Sequence, residues 1–273
     1  MNLLSLKTIK ELLLEHAIRP SKGLGQNFLV SKSVLQKIIE AAQLSPDDIV
    51  LEVGPGIGTL TQALAPRVKK VIAVEKDKKM VDILAETLKD HHNIELITKD
   101  ILKVSSFEFP ATRYKVVANI PYYITAPLIR KFLEADNQPT MMVLMVQKEV
   151  AQRICARPPQ MSLLAVAVQF YAACTIASYV PKDAFWPAPN VDSAIIKIIP
   201  KPLGSPTSQR FFQIVKAGFS HPHKQLANNL SQTFKKNKAS INKWLVANSI
   251  MPEQRAESLS VRDWLNLAEN FSL

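Results

Sequence analysis

From about residue 48 the apolar positions of the chain fall into short continuous runs, separated by stretches in which they recur every three or four residues. The runs 49–53, 71–75, 94–98, 114–118 and 140–147 read as strands, and 59–67, 78–89 and 126–135 as helices between them. Near-continuous apolar strands alternating with helices predict a parallel sheet covered on both faces. Two more strands, 174–180 and 193–199, are joined by a loop rich in Pro and aromatic residues. The loop is long enough for an antiparallel hairpin at one sheet edge. Before the sheet, leucines at helical spacing predict an amphipathic helix ending before Pro20. Residues 161–180 carry no charge over 20 positions, the length of a membrane span. Residues 162–172 are rich in Ala and Leu, however, and 174–180 are β-branched and stop at Pro181. A buried helix followed by a strand is therefore expected, and no membrane association. The stretch 201–208 (KPLGSPTS) has linker composition. After it, 209–219, 224–234, 240–248 and 261–271 all have helical spacing. The expected organisation is an α/β domain over residues 1–203 and a small all-α domain over 204–273.

Composition adds a partner class. Among 273 residues there are 34 Lys plus Arg and 23 Asp plus Glu, a net charge of +11. The excess is uneven: 204–252 hold seven basic residues and no acid, and 16–39 hold Arg19, Lys22, Lys32 and Lys37, again without an acid. Solubility alone accounts for a positive total, but a long acid-free stretch points to a polyanion, with nucleic acid the first candidate. Cys155 and Cys174 have no CxxC spacing, and the five His include no HExxH, so neither a metal site nor a disulfide framework is expected. Glu11 and Glu15 interrupt the N-terminal apolar pattern, which disfavours a signal peptide and fits a reducing, cytoplasmic setting.

The first strand runs into Gly54-Pro55-Gly56-Ile57-Gly58-Thr59. Alternating glycines at a strand end that opens a helix bring backbone close to a ligand. The dinucleotide fingerprint needs Gly where Thr59 stands, so nicotinamide and flavin dinucleotides are disfavoured. Glu75 ends the second strand and can accept from ribose hydroxyls; Asp100 ends the third and can accept from an adenine amine. The three strand ends together resemble those of S-adenosylmethionine-dependent methyltransferases.

The fourth strand ends in Asn119-Ile120-Pro121-Tyr122, which resembles the motif of methyltransferases that modify exocyclic amines of bases. The lone pair of adenine N6 is delocalised into the ring, and the amine is a poor nucleophile. Acceptors from the Asn119 side chain and the Ile120 carbonyl would hold its two N–H groups and aim the lone pair at the donor methyl. Tyr122 would stack on the base, which must be unpaired or extruded to enter.

Two further segments, Ser21-Lys22-Gly23-Leu24-Gly25-Gln26-Asn27-Phe28-Leu29 and Phe185-Trp186-Pro187-Ala188-Pro189-Asn190-Val191-Asp192-Ser193, join these motifs. Together they closely resemble the ribosomal RNA adenine N6-dimethyltransferase family, over about residues 16 to 270. The tail 219–230 (FSHPHKQLANNL) is similar to that of the bacterial small-subunit members. The resemblance implies a Rossmann-like methyltransferase fold with a mostly parallel seven-stranded sheet. It also implies S-adenosyl-L-methionine as methyl donor without a metal, and no required oligomer. Its substrate would be 16S rRNA in the small ribosomal subunit or its precursor, dimethylated at two adjacent adenosines in a hairpin loop near the 3′ end. Carried over by residue, Gln26, Asn27 and Leu29 lie near the methionine end of the donor and Gly54 and Gly56 along its backbone. Glu75 lies on ribose, Asp100 on adenine, and Asn119 on both donor and target. Phe185 stacks on the base opposite Tyr122. Many relatives carry consecutive basic residues where His221-Pro222-His223-Lys224 stands here, so phosphate contact at that turn would be weaker or pH-dependent.

Three other functions share part of this pattern. A large-subunit rRNA methyltransferase conferring macrolide resistance is disfavoured by the tail. A DNA adenine methyltransferase is disfavoured by the lack of a target-recognition domain. A non-catalytic binding factor is disfavoured by the intact Asn119–Tyr122 motif.

Overall fold

The computed structural model describes residues 1–21, 25–105, 113–201, 208–221 and 223–271. Residues 202–207 of the expected linker, residues 22–24 of the N-terminal motif, and Pro222 lie outside the described residues.

Seven strands form one sheet: β2 (Ile49–Val53), β3 (Lys70–Glu75), β4 (Ile94–Thr98), β5 (Lys115–Asn119), β6 (Met141–Gln147), β7 (Ala172–Val180) and β9 (Ser193–Pro200). Their order is β4-β3-β2-β5-β6-β9-β7. The pairs β3–β4, β2–β3, β2–β5 and β5–β6 are parallel, and β9 runs antiparallel to β6. The edge reversal expected from the Pro-rich connection is thus present, with β9 inserted between β6 and β7. Four of the five residues of β2 are buried, as a central strand covered on both faces requires, whereas β4 at the edge is only half-buried. The chain leaves β2 toward β3 and β4 on one side and returns to β5 on the other. The crevice at the carboxyl ends of β2 and β5 is therefore the topological switch point, where open α/β sheets bind ligands.

Helices α1 (Leu6–Glu15), α3 (Thr59–Leu64), α4 (Lys78–Thr87) and α5 (Thr125–Leu133) occupy the expected places. Two more are not among the expected elements. In α2 (Lys32–Ala42), Ser31 accepts from the Val34 amide, and Val34, Ile38, Ile39 and Ala42 are buried. The other is the short α6 (Lys148–Ile154) directly after β6. A two-residue ladder, β1 (Phe28–Leu29) with β8 (Phe185–Trp186), pairs Leu29 with Phe185 and Phe28 with Trp186.

The uncharged stretch divides as expected, into α7 (Leu163–Tyr171) and then β7. No described helix is long and apolar enough to cross a membrane. Helices α8 (Ser208–Gly218), α9 (Leu226–Phe234), α10 (Lys238–Ala247) and α11 (Val261–Glu269) form the tail. A reciprocal cap between Ser260 and Asp263 starts α11.

The chain separates into two compact units, 1–151 with 174–200, and 152–173 with 201–273. The expected boundary is 203/204; here the last junction falls at 200/201, and 152–173 groups with the tail. Met161, Ala165 and Val166 are buried in the same cluster as Phe211, Leu230, Trp244 and Trp264, so α7 supplies core to the helical unit. Close packing there is visible at Gly218, where a Cβ would run into the ring of the fully buried Trp264.

Candidate active site

A cavity of about 390 Å³ opens at the switch point, within the size range of small-ligand sites. Its lining comes from the β1 segment, the loop after β2, and the carboxyl ends of β3, β4 and β5. Ten of the eleven residues singled out from the sequence line it: Gln26, Asn27, Leu29, Gly54, Gly56, Glu75, Asp100, Asn119, Ile120 and Tyr122.

The glycine loop is built by backbone geometry that side chains resist. Gly54, Gly56 and Gly58 have φ of 67°, 59° and 92°, in the left-handed region. The Gly54 amide donates to Val74 O at 2.9 Å, tying the loop to β3. A Cβ on Gly56 would sit 3.6 Å from Phe28, filling the space between loop and ladder.

Glu75 is 8% exposed at the end of β3. Its Oε1 accepts from the amides of Lys76 (2.8 Å) and Asp77 (2.9 Å), and its Oε2 from Gly56 (3.2 Å). A carboxylate has about four lone-pair sites, so the three amides leave about one for a ligand hydroxyl. Burial raises its pKa, and the amide bonds oppose that shift.

Asp100 Oδ2 pairs with Lys76 Nζ at 2.8 Å, and Oδ1 accepts from the Leu102 amide at 3.0 Å. The Lys76 bond holds the Asp100 carboxyl below its ordinary range. Register explains the pairing: Glu75 lies opposite Thr98, which brings the residues after β3 and β4 together.

At the end of β5, Asn119 Nδ2 donates to Asn27 O at 3.4 Å, which turns its Oδ1 away as an acceptor. Ile120 is the first residue past the β5–β6 ladder, in which Asn119 is the last partner. The Tyr122 hydroxyl bonds to Ser193 Oγ at 2.6 Å, and Ser193 is fully buried. This tethers the ring by its tip and leaves its faces for stacking. Gly25 approaches Pro121 closely, and Gln26 Nε2 reaches Asp77 Oδ2 at 3.0 Å, so the N-terminal motif packs on both the Asn119–Tyr122 turn and the β3 end.

Phe185 is the exception. It is 4% exposed, packs with Leu29, Val180 and Ile195, and does not line the cavity. The β1–β8 ladder turns it into the core, so its placement does not match the expected stacking on a base.

One lining residue escapes a reading of the sequence. Glu52, the penultimate residue of β2, is 1% exposed, and its Oε2 has no hydrogen-bond partner. Burial pushes its carboxyl up to about 8, and the neighbouring Glu75 acts in the same direction. An acid inside an otherwise apolar central strand is the available signal.

Comparison with known proteins identifies the family. The model of the ribosomal RNA adenine dimethylase family matches residues 18–272. The chain is 45% identical over 268 residues to a protein of Dehalococcoides mccartyi named ribosomal RNA small subunit methyltransferase A, covering 96% of this chain and 92% of that one. It is 40% identical over 283 residues to the protein of that name from Streptococcus pneumoniae, covering 98% of each. Among solved structures it is similar to the 23S rRNA methyltransferase ErmE, with TM-score 0.75 and 28% identity over 89% of this chain and 99% of that one. It is also similar to a dimethyladenosine transferase from Plasmodium falciparum, with TM-score 0.73 and 31% identity over 88% and 95% of the two chains. The chain belongs to the ribosomal RNA adenine dimethylase family.

Proposed function

We propose that this protein dimethylates N6 of two adjacent adenosines in a hairpin loop near the 3′ end of 16S rRNA, in the small subunit or its precursor. The single observation that carries the chemistry is that the Asn119–Tyr122 turn and the glycine loop open into one cavity. The small subunit is favoured over the large one because identity is 45% to a relative named for the former and 28% to the 23S enzyme. The setting proposed is the cytoplasm, during subunit assembly.

The cavity suits S-adenosyl-L-methionine. Glycines leave room for a ligand backbone, Glu75 and Asp100 offer acceptors at the ends of β3 and β4, and Glu52 Oε2 is an orphaned acceptor. When bound, this donor supplies an electrophilic methyl group on a sulfonium. No metal is required for such a displacement.

In this assignment Gly54 and Gly56 line the donor's length, and Gln26, Asn27 and Leu29 close its methionine end. Glu75 accepts from ribose, giving up its longest amide bond, to Gly56, if both hydroxyls engage. Asp100 has lone pairs left beside Lys76 and Leu102 for an adenine amine. Asn119 Oδ1 and the Ile120 carbonyl accept from the two N–H groups of the target N6, which points the nitrogen lone pair at the methyl. Tyr122, held by Ser193, stacks on the target base. The proton leaves the product nitrogen after transfer, so no strong base is needed. Phe185 serves as an apolar plug behind Leu29, a supporting role in place of base stacking.

The helical unit is the proposed RNA grip. Its stretch 204–252 carries seven basic residues and no acid. Lys235 and Lys236, between α9 and α10, and Lys238, at the start of α10, are exposed. Affinity for the RNA particle is expected to fall steeply and linearly in log–log form with salt, as counterion release requires. The test is a salt titration of binding to unmethylated small subunits. A flat titration would remove the basic stretches from the interface.

A further inference from the structure

Glu52 is a buried ionisable group that the methyl-transfer mechanism does not use. It stands in β2 beneath the glycine loop, 1% exposed, with Oε2 unpartnered although the residue lines the cavity. An ion pair to it is absent among the described residues. The groups that act on it are Thr61 from α3 and Glu75 from β3. Thr61 is fully buried, and its hydroxyl acts to lower the Glu52 carboxyl, against the larger effect of burial. Of the lining cations, Lys76 is engaged with Asp100. A carboxylate so placed, desolvated and beside a second carboxylate, is held neutral until a positive charge arrives.

We propose that Glu52 senses ligand charge: it is protonated in the ligand-free protein and ionises when the cationic sulfonium donor binds, which favours the donor over its uncharged thioether product. The assignment rests on the sulfonium donor as the ligand of this cavity. The donor differs from its product by one methyl group and one positive charge. A rigid neutral pocket gains little from a methyl, whereas a carboxyl that can ionise responds to the charge. On binding, the Glu52 proton passes to solvent. After transfer the cation is gone, the carboxyl takes a proton back, and the product is held less tightly. Glu52 is then a positioning and discriminating residue, without contact to the reacting nitrogen.

Calorimetry tests this directly, with S-adenosylmethionine and S-adenosylhomocysteine titrated into the full-length protein in buffers of different ionisation enthalpy. With the carboxyl raised to about 8, most of it is protonated at pH 7, and up to about one more proton should be released with the donor than with the product. Donor affinity should rise by up to about tenfold per pH unit below 8 and level off above, while product affinity changes less. The ligands' own amino groups titrate too, and Glu52→Gln, of equal shape, supplies that background. The variant should lose the extra proton release and bring donor and product affinities closer together. Equal proton release in wild type and Glu52→Gln overturns the proposal while leaving the donor site standing. Failure of wild type to bind either ligand overturns the donor site and the proposal with it. Should Glu52→Gln not fold, the wild-type pH slope decides, and equal slopes for the two ligands overturn the proposal.

Discussion

Replacing Asn119 with Ala is expected to lower methyl transfer by about 100- to 1,000-fold, the usual cost of removing one preorganised hydrogen-bonding group from a reaction centre. The size follows from the division of labour within the side chain. Nδ2 is committed to Asn27 O at 3.4 Å, and Oδ1 is left to accept from the target amine. Alanine removes the acceptor that aligns the nitrogen lone pair and also frees the N-terminal motif from β5. The RNA contacts proposed for the helical unit are untouched, so particle binding should persist. Single-turnover transfer from labelled donor, measured beside particle binding, separates the two. Undiminished transfer would remove Asn119 from the assigned role.

Replacing Glu75 with Ala is expected to weaken donor binding by about 2–3 kcal/mol, on the order of 30- to 150-fold, as for a hydrogen bond to a charged group. Because Glu75 is 8% exposed, solvent screening offers little relief. Two losses add. The ligand hydroxyl loses its acceptor, and the amides of Gly56, Lys76 and Asp77 lose theirs, which loosens the loop that shapes the cavity. Glu75→Gln should fall between wild type and Ala, because an amide keeps one acceptor oxygen but turns an N–H toward an amide donor. Calorimetry showing unchanged donor affinity in the Ala variant would take Glu75 out of the site.

Much of this site is legible in the sequence because its residues stand at strand ends. Apolar runs locate the strands, and a parallel sheet brings the residues just past each run to one edge. Gly54, Glu75, Asp100 and Asn119 are found that way, and all four line the cavity. The features that escape depend on contacts distant in sequence. The pairing of Lys76 with Asp100 follows from the β3–β4 register, which composition does not specify. Phe185, an aromatic in a Pro-rich loop, has the composition of an exposed stacking residue. Its two-residue ladder with β1 is too short for a period-two pattern, and that ladder buries it. Glu52 is hidden because its neighbours in β2 read as plain strand, and only the packing of α3 and β3 around it reveals a desolvated acid.

The fold shows the same limit. The helix α7 is legible from its Ala and Leu content, but its membership of the helical unit is not, since nothing local tells which core Ala165 and Val166 complete. The basic character of the tail is legible because it is a property of composition. Its exposure at Lys235, Lys236 and Lys238 depends on the turn between α9 and α10.

The proposed product is N6,N6-dimethyladenosine at two adjacent positions of small-subunit RNA. The most direct measurement is incubation of the protein with S-adenosylmethionine and unmethylated small subunits, followed by nucleoside mass analysis and mapping of the modified positions. Dimethyladenosine at two neighbouring adenosines near the 3′ end of 16S rRNA is the predicted result. RNA that stays unmodified, or dimethyladenosine formed only when 23S rRNA is the substrate, would contradict it.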